Sequence, residues 1–155
     1  MYQNKRAWTY DVKQLGFRYH MPNLHGAIGL AQIRKMPKIS QTRVNTCIFY
    51  NHELASVKGI ITPKTNWEGI TPFLYYIRVL DGKREEMINF LRENGVDTGI
   101  HWQPAHWFAL FHDAKKGDLS VTEKIGKEIL SLPLHSFMDI EDSQKIVELI
   151  KKFFE

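Results

Sequence analysis

The sequence predicts an α/β domain in which a small mixed sheet is covered by helices and preceded by a kinked pair of helices. Two observations carry this prediction. Side chains in residues 73–79 alternate with a period of two, which is typical of a half-buried strand. Residues 23–36, 120–130 and 139–153 instead space their apolar side chains three and four apart, as helices do. One chain of 155 residues with both patterns fits a single layered core.

Two helices are predicted in the first part of the chain. The first begins at Asn23, which follows Pro22, and it carries a face of small residues: Gly26, Ala27, Gly29 and Ala31. Pro37 interrupts this pattern, and a helical spacing resumes over residues 40–56. We therefore predict a helix, a kink near Pro37 and a second helix.

The remaining elements alternate between strands and helices. Short strands are predicted at 60–61 and 73–79, and a helix that Asp81 can cap is predicted to end at Asn94-Gly95. A strand from Val96 to Trp102 should follow. The capping box Ser120–Glu123 opens a helix that runs to residue 130, and Asp139 opens the last helix.

Composition and charge exclude several classes of protein. The formal net charge of +4 comes from 21 basic and 17 acidic residues that are interspersed along the chain. This pattern is typical of a solvated surface and not of a nucleic-acid-binding arm. The single cysteine, Cys47, has no partner for a disulfide, and no apolar run approaches the roughly 20 residues of a membrane span. We therefore expect a cytoplasmic protein without nucleic-acid or membrane partners.

Five sequence blocks are more specific than these periodic patterns. The longest is Leu15-Gly-Phe-Arg-Tyr-His-Met-Pro-Asn-Leu-His-Gly-Ala-Ile-Gly-Leu-Ala-Gln32, and Thr98-Gly-Ile-His-Trp-Gln-Pro-Ala-His106 comes next. The others cover residues 95–101, 117–123 and 131–135. In order and spacing these blocks resemble the nucleotide-sugar aminotransferase family (DegT/StrS type) of the fold-type I pyridoxal-phosphate enzymes.

The resemblance implies the C-terminal part of the aspartate-aminotransferase-like fold. Residues 1–36 would then be the end of the large cofactor-binding domain. Residues 37–57 would be the inter-domain helix, and residues 58–155 would be the small C-terminal domain.

The resemblance also implies pyridoxal phosphate as the cofactor of the intact enzyme. In the family, the Schiff-base lysine, the carboxylate that pairs with the pyridinium nitrogen and the stacking aromatic lie upstream of the region that this chain matches. None of the lysines present lies in a matching motif. We therefore expect no catalytic residue in this chain, no tight cofactor binding by it and no activity from it alone.

Two residues in the first block depart from the family pattern. Arg18 stands where asparagine is common, at a position that touches the cofactor phosphate of the neighbouring subunit in the family. A guanidinium can bind phosphate through two hydrogen bonds, so Arg18 is the predicted cofactor-binding residue. The alternative is an interface salt bridge. His20 stands where arginine is common and is a candidate substrate contact.

Two histidines in the second block are the other candidate substrate contacts. If residues 96–102 form a strand, Asp97, Gly99 and His101 face one side, and Gly99 leaves room for close approach. In the family, His101 and His106 correspond to histidines near the sugar-nucleotide site. The alternative is a histidine packed between tryptophans. A metal site is not predicted, because the neighbouring residues offer few further ligands.

The resemblance thus implies an intact enzyme that transfers an amino group, with glutamate as donor, to a nucleotide-linked keto-sugar. The product would enter polysaccharide, O-antigen or deoxyaminosugar biosynthesis, and the enzyme would be a homodimer. Two alternatives stay open. Some relatives replace the lysine by histidine and dehydrate sugars, and a non-catalytic binding or assembly module is the third possibility, against which the interspersed charge argues.

Overall fold

The computed structural model describes residues 13–155. The chain divides into two compact units, one ending at Arg34 and one spanning Lys35–Glu155. The second unit contains the sheet and most of the helices. Within the described residues, no helix combines the length and the apolar character that crossing a bilayer requires.

The first helix, α1 (Asn23–Leu54), is continuous through Pro37, where the sequence predicts a break into two helices. Its last two turns bury Cys47, Tyr50 and Leu54 completely. Burying one such side chain contributes roughly 1.5–3 kcal/mol, so three of them outweigh the roughly 3 kcal/mol that an interior proline costs. Tertiary packing therefore holds the helix together where local propensity would interrupt it.

The sheet has three strands, β1 (Ile60–Ile61), β2 (Tyr75–Val79) and β3 (Ile129–Leu132), in the order β1-β2-β3. Both pairs are antiparallel, with Tyr75 opposite Leu132 in the second pair, so the sheet is not of the mixed type that the sequence predicts. The predicted positions of β1 and β2 are confirmed.

The predicted strand from Val96 to Trp102 is wrong. Only one residue of this segment pairs, because Gly99 exchanges backbone hydrogen bonds of 3.1 and 2.7 Å with Ser131. The third strand is instead β3, part of which the sequence assigns to a helix ending at residue 130. The helix is predicted too long because Ile129 continues the four-residue spacing of the apolar side chains before it. In the structure, Leu130 and Leu132 are buried in the sheet.

Three further helices surround the sheet: α2 (Arg84–Glu93), α3 (Ser120–Glu128) and α4 (Ile140–Phe154). The prediction that Asp139 caps α4 is confirmed, since its side chain accepts a hydrogen bond of 2.8 Å from the backbone of Asp142. The predicted capping box of α3 is absent. Asp118 accepts from the backbone N–H of Ser120 instead, and this hydrogen bond lowers the pKa of the Asp118 carboxyl.

The core lies between α1, α2, α4 and the inner face of the sheet. Two buried tyrosines have satisfied hydroxyls: Tyr50 donates to the carbonyl of Pro133 at 3.1 Å, and Tyr75 donates to Asn51 Oδ1 at 2.7 Å. Burial raises the pKa of both hydroxyls. It also raises the pKa of the Cys47 thiol to about 12, so this cysteine is an inert core residue.

Two apolar residues in the stretches whose periodicity predicts a buried face are exposed. Phe73 precedes β2 and is 70% exposed, and Val121 on the first turn of α3 is 69% exposed. Alternation and helical spacing identify the apolar face of a strand or helix. They do not show at which residue along that face the packing against other elements begins. Phe73 also lines a cavity in the second unit.

Candidate functional site

A cavity of about 610 Å³ opens in the second unit, where the loop after α2 meets β3. This volume lies within the range of ligand-binding sites in proteins. The part of its lining that carries polar or aromatic side chains consists of Phe73, Asp97, Thr98, His101, Trp102 and Ser131. Asp97, Gly99 and His101, which the sequence predicts to face one side of a strand, line this cavity without forming a strand.

His101 is exposed in this cavity, and its position depends on Gly99. A Cβ atom on Gly99 would lie 2.5 Å from Cε1 of the His101 imidazole, which no real side chain tolerates. The glycine thus makes room for the imidazole ring itself. Within residues 13–155, neither ring nitrogen of His101 has a hydrogen-bond partner, so both are available to a ligand.

The alternative in which His101 is packed between two tryptophans does not match its surroundings. Trp102 meets the His101 ring edge-on, with centroids 5.4 Å apart, and Trp102 is itself 67% exposed. Trp107 packs edge-on against His106 instead, at 5.9 Å.

His106 is in a different environment. Its Nε2 lies 3.1 Å from Oε1 of Glu123 on α3, and its side chain is only 13% exposed. It is not among the residues that line the cavity. The structure therefore separates the two histidines that the sequence treats as a pair: His101 faces the cavity, whereas His106 joins its loop to α3. A substrate contact by His106 stays a prediction.

Arg18 and His20 lie in the first unit and contact each other. Nε of Arg18 donates a hydrogen bond of 2.7 Å to Nδ1 of His20, and both residues are exposed. This hydrogen bond can orient the guanidinium. A substrate contact by His20 stays a prediction. Within residues 13–155 no bond is made by the Nη groups of Arg18, which are the two that a phosphate would need.

The His101 cavity has no group that could anchor pyridoxal phosphate covalently. Among residues 13–155, no lysine or arginine lines it, so this part of the chain offers it neither a Schiff-base amine nor a cation for the phosphate. Arg18 is the one predicted cofactor contact. Within the described ranges, no three His, Cys, Asp or Glu side chains come together as metal ligands would.

Three residues at or next to the cavity were not identified as functional from the sequence. Phe73 was assigned to the core because it continues the alternation of β2, and Trp102 was considered only as a neighbour of His101. The third is Arg43 on α1, whose Nη1 donates to the carbonyls of Pro72 and Phe73, at 3.1 Å each. The one sequence signal that could have indicated Trp102 is the clustering of aromatic residues around the Gly99–His101 block. No local signal indicates Arg43, because its contact with Phe73 spans 30 residues of sequence.

The motifs and geometry agree with comparisons to known proteins. Residues 1–151 match the sequence profile of the DegT/DnrJ/EryC1/StrS aminotransferase family. The chain belongs to this family. The resemblance stated from the sequence blocks is thereby confirmed.

Two curated relatives show how much of a DegT/DnrJ/EryC1/StrS family member this chain corresponds to. An uncharacterized protein of Methanocaldococcus jannaschii is 28% identical over 160 residues, and the match covers 97% of this chain and 41% of that protein. The spore coat polysaccharide biosynthesis protein SpsC of Bacillus subtilis is 26% identical over 159 residues, with the same shares covered. The chain thus spans about two fifths of the length of these relatives.

Solved structures show the same fold. The Helicobacter pylori aminotransferase PseC, involved in pseudoaminic acid biosynthesis, matches with a TM-score of 0.80 and 22% identity over 97% of this chain and 42% of that chain. AtS13 from Actinomadura melliaura matches with a TM-score of 0.84 and 21% identity over 94% of this chain and 38% of that chain. The predicted fold class, the C-terminal part of an aminotransferase fold, is confirmed.

Proposed function

We propose that the chain is the C-terminal part of a pyridoxal-phosphate-dependent enzyme that transfers an amino group from glutamate to a nucleotide-linked keto-sugar. The observation that carries this proposal is the family match over residues 1–151, combined with coverage of only about two fifths of each relative. The role of the Bacillus subtilis relative in spore coat polysaccharide biosynthesis supports a product for polysaccharide, O-antigen or deoxyaminosugar synthesis.

In this proposal the chain contributes substrate and phosphate contacts, and the polypeptide upstream contributes the Schiff-base lysine. His101, with both ring nitrogens unpaired within residues 13–155, binds the sugar nucleotide, and Arg18, oriented by His20, binds the cofactor phosphate of the neighbouring subunit. Bound pyridoxal phosphate supplies an electron sink for the transfer. The proposed enzyme is a cytoplasmic homodimer that binds neither nucleic acid nor membranes.

The arrangement of residues explains why the chain alone is proposed to be inactive. As far as residues 13–155 are concerned, the His101 cavity is lined by no lysine or arginine and by one carboxylate, that of Asp97. Such a cavity can hold and orient a neutral polar ligand, but it cannot anchor a cofactor through an imine or hold a phosphate by charge.

The proposal predicts that the isolated chain forms no specific imine with pyridoxal phosphate. The chain is incubated with the cofactor, reduced with borohydride and mapped by peptide mass spectrometry, while amino transfer from glutamate is followed in parallel. We expect only a sparse label spread over several surface lysines, matching that of the urea-unfolded chain, and no turnover. Stoichiometric label at one lysine together with turnover would refute the proposal.

A further inference from the structure

We propose that Phe73 and Trp102 together form a platform on which the nucleobase of the sugar nucleotide stacks. This aromatic platform rests on the proposed function, because it names the part of the substrate that the cavity receives. It adds two residues that neither the sequence blocks nor the comparisons assign to a ligand.

The pair is an exposed aromatic stack and not a core contact. The ring centroids of Phe73 and Trp102 are 6.4 Å apart and their planes differ by 27°, so the two rings lie nearly parallel. Both line the cavity, and they are 70% and 67% exposed. Exposed apolar patches mark interaction surfaces or ligand-binding grooves, and the faces of aromatic side chains accept stacked bases.

Both rings are attached to backbone that is held in place. Arg43 donates from Nη1 to the carbonyls of Pro72 and Phe73, which fixes the backbone that carries the Phe73 ring. On the other side, Pro104 is buried against Gly126 of α3 and anchors the loop that carries Trp102. The backbone that carries the two rings therefore loses little conformational entropy when a ligand binds.

The charges of the lining select the nucleobase over the diphosphate. In the part of the chain that the structure describes, neither lysine nor arginine lines the cavity, and Asp97 would repel a phosphate group. The same carboxylate can accept a hydrogen bond from an N–H on the edge of a base, and the side chains of Thr98 and His101 offer further polar contacts. A neutral planar ring with N–H donors therefore matches this lining, whereas an anion does not.

The test uses the 155-residue chain and two small probes, uridine monophosphate and ribose 5-phosphate, which differ only by the base. Binding is measured by calorimetry, and saturation-transfer NMR identifies the ligand protons that touch the protein. The variants are Trp102→Ala, Phe73→Ala and the conservative Trp102→Phe. Phe137→Ala, which removes an aromatic ring that is 89% exposed and does not line the cavity, is the matched control.

We expect uridine monophosphate to bind more tightly than ribose 5-phosphate, with the strongest saturation on the base protons. Either alanine variant at the platform should weaken binding roughly 5- to 150-fold, the range for the loss of one base-stacking contact. Trp102→Phe should retain most of the affinity and Phe137→Ala all of it. Circular dichroism should show unchanged folding, because both platform rings are exposed.

Equal binding of the two probes, no binding of uridine monophosphate, or full affinity in folded Trp102→Ala would each overturn the platform. The outcome is separable from that of the proposed function. Amino transfer by a polypeptide that includes the upstream portion, with an unchanged KM in Trp102→Ala, would refute the platform alone. Base binding that depends on Trp102, without any amino transfer by that polypeptide, would refute the proposed function alone.

Discussion

His101 shows how one glycine can determine the availability of a functional side chain. The imidazole lies against the Cα of Gly99 at a distance that leaves no room for a Cβ, and it remains exposed in the cavity. The sequence predicts that Gly99 leaves room for a ligand or for backbone to approach. The His101 ring itself occupies that space, and the bend at His101 that brings it there is not visible in the residue pattern.

At this scale we predict the effect of His101→Ala in a polypeptide that carries the upstream portion. Loss of one hydrogen bond to the substrate should raise the KM for the sugar nucleotide roughly 2- to 10-fold and leave the cofactor absorption spectrum unchanged. His112→Ala, which removes an exposed histidine that pairs only with Asp113 within the described chain, is the control. An unchanged KM, or a protein that fails to fold, would instead indicate a structural histidine.

At the scale of elements, α3 connects the cavity loop to the rest of the second unit. The carbonyl of Gly126 accepts a hydrogen bond of 2.6 Å from Arg84 Nη1 on α2, while the Gly126 Cα faces the Pro104 ring. On the same helix, Glu123 holds His106. These three contacts fix the loop that carries Trp102.

Replacing Gly126 by alanine should therefore destabilise the protein, although alanine favours helix. The added Cβ would lie 2.6 Å from Pro104 Cγ and 3.1 Å from Trp107 Cη2, and a proline ring cannot rotate away. Overpacking of this kind costs about 1–3 kcal/mol, against a helix-propensity gain of about 1 kcal/mol. The net change spans about 0–2 kcal/mol. Because the proline ring cannot move aside, we expect the upper half of this range, with urea unfolding showing a free energy lower by about 1–2 kcal/mol.

Gly29→Ala is the matched control for this prediction, since it is also a helical glycine and nothing lies within 4 Å of its added Cβ. It should be neutral or stabilising. A Gly126→Ala variant as stable as the parent chain would show that the loop is not packed as described.

The same scale shows which elements the sequence determines locally. The cap of α4 at Asp139 and the end of α2 at Asn94-Gly95 were predictable, because a side-chain cap and a left-handed glycine act within a few residues. Strand β3 was not predictable. Its partners, Gly99 and residues 75–78, lie tens of residues away, and its first residue fits the helical spacing of α3.

At the scale of the whole molecule, the first unit exposes several large apolar side chains. Leu15, Phe17 and Tyr19 are 99%, 90% and 88% exposed, and Leu24 and Ile33 on α1 are 69% and 67% exposed. Exposed apolar patches are typical of protein–protein interfaces. The exposure of these side chains supports the proposal that they pack against the upstream portion of the enzyme.

The sequence blocks were a better guide to the family and the fold class than to the secondary structure. They identified both, because glycine, proline and histidine at fixed spacing report on backbone geometry. They did not distinguish His101 from His106 or identify Phe73, since the roles of these residues depend on contacts with α1 and α3 that are distant in sequence.

The most direct test of the central claim compares this chain with a polypeptide in which the cofactor-binding portion precedes residue 1. Each is given pyridoxal phosphate, glutamate and a nucleotide-linked keto-sugar, and the sugar product is identified by mass spectrometry. We predict that the longer polypeptide alone forms an amino sugar, with one 2-oxoglutarate for each. An amino sugar formed by the 155-residue chain alone, or a dehydrated sugar formed by the longer polypeptide, would contradict the claim.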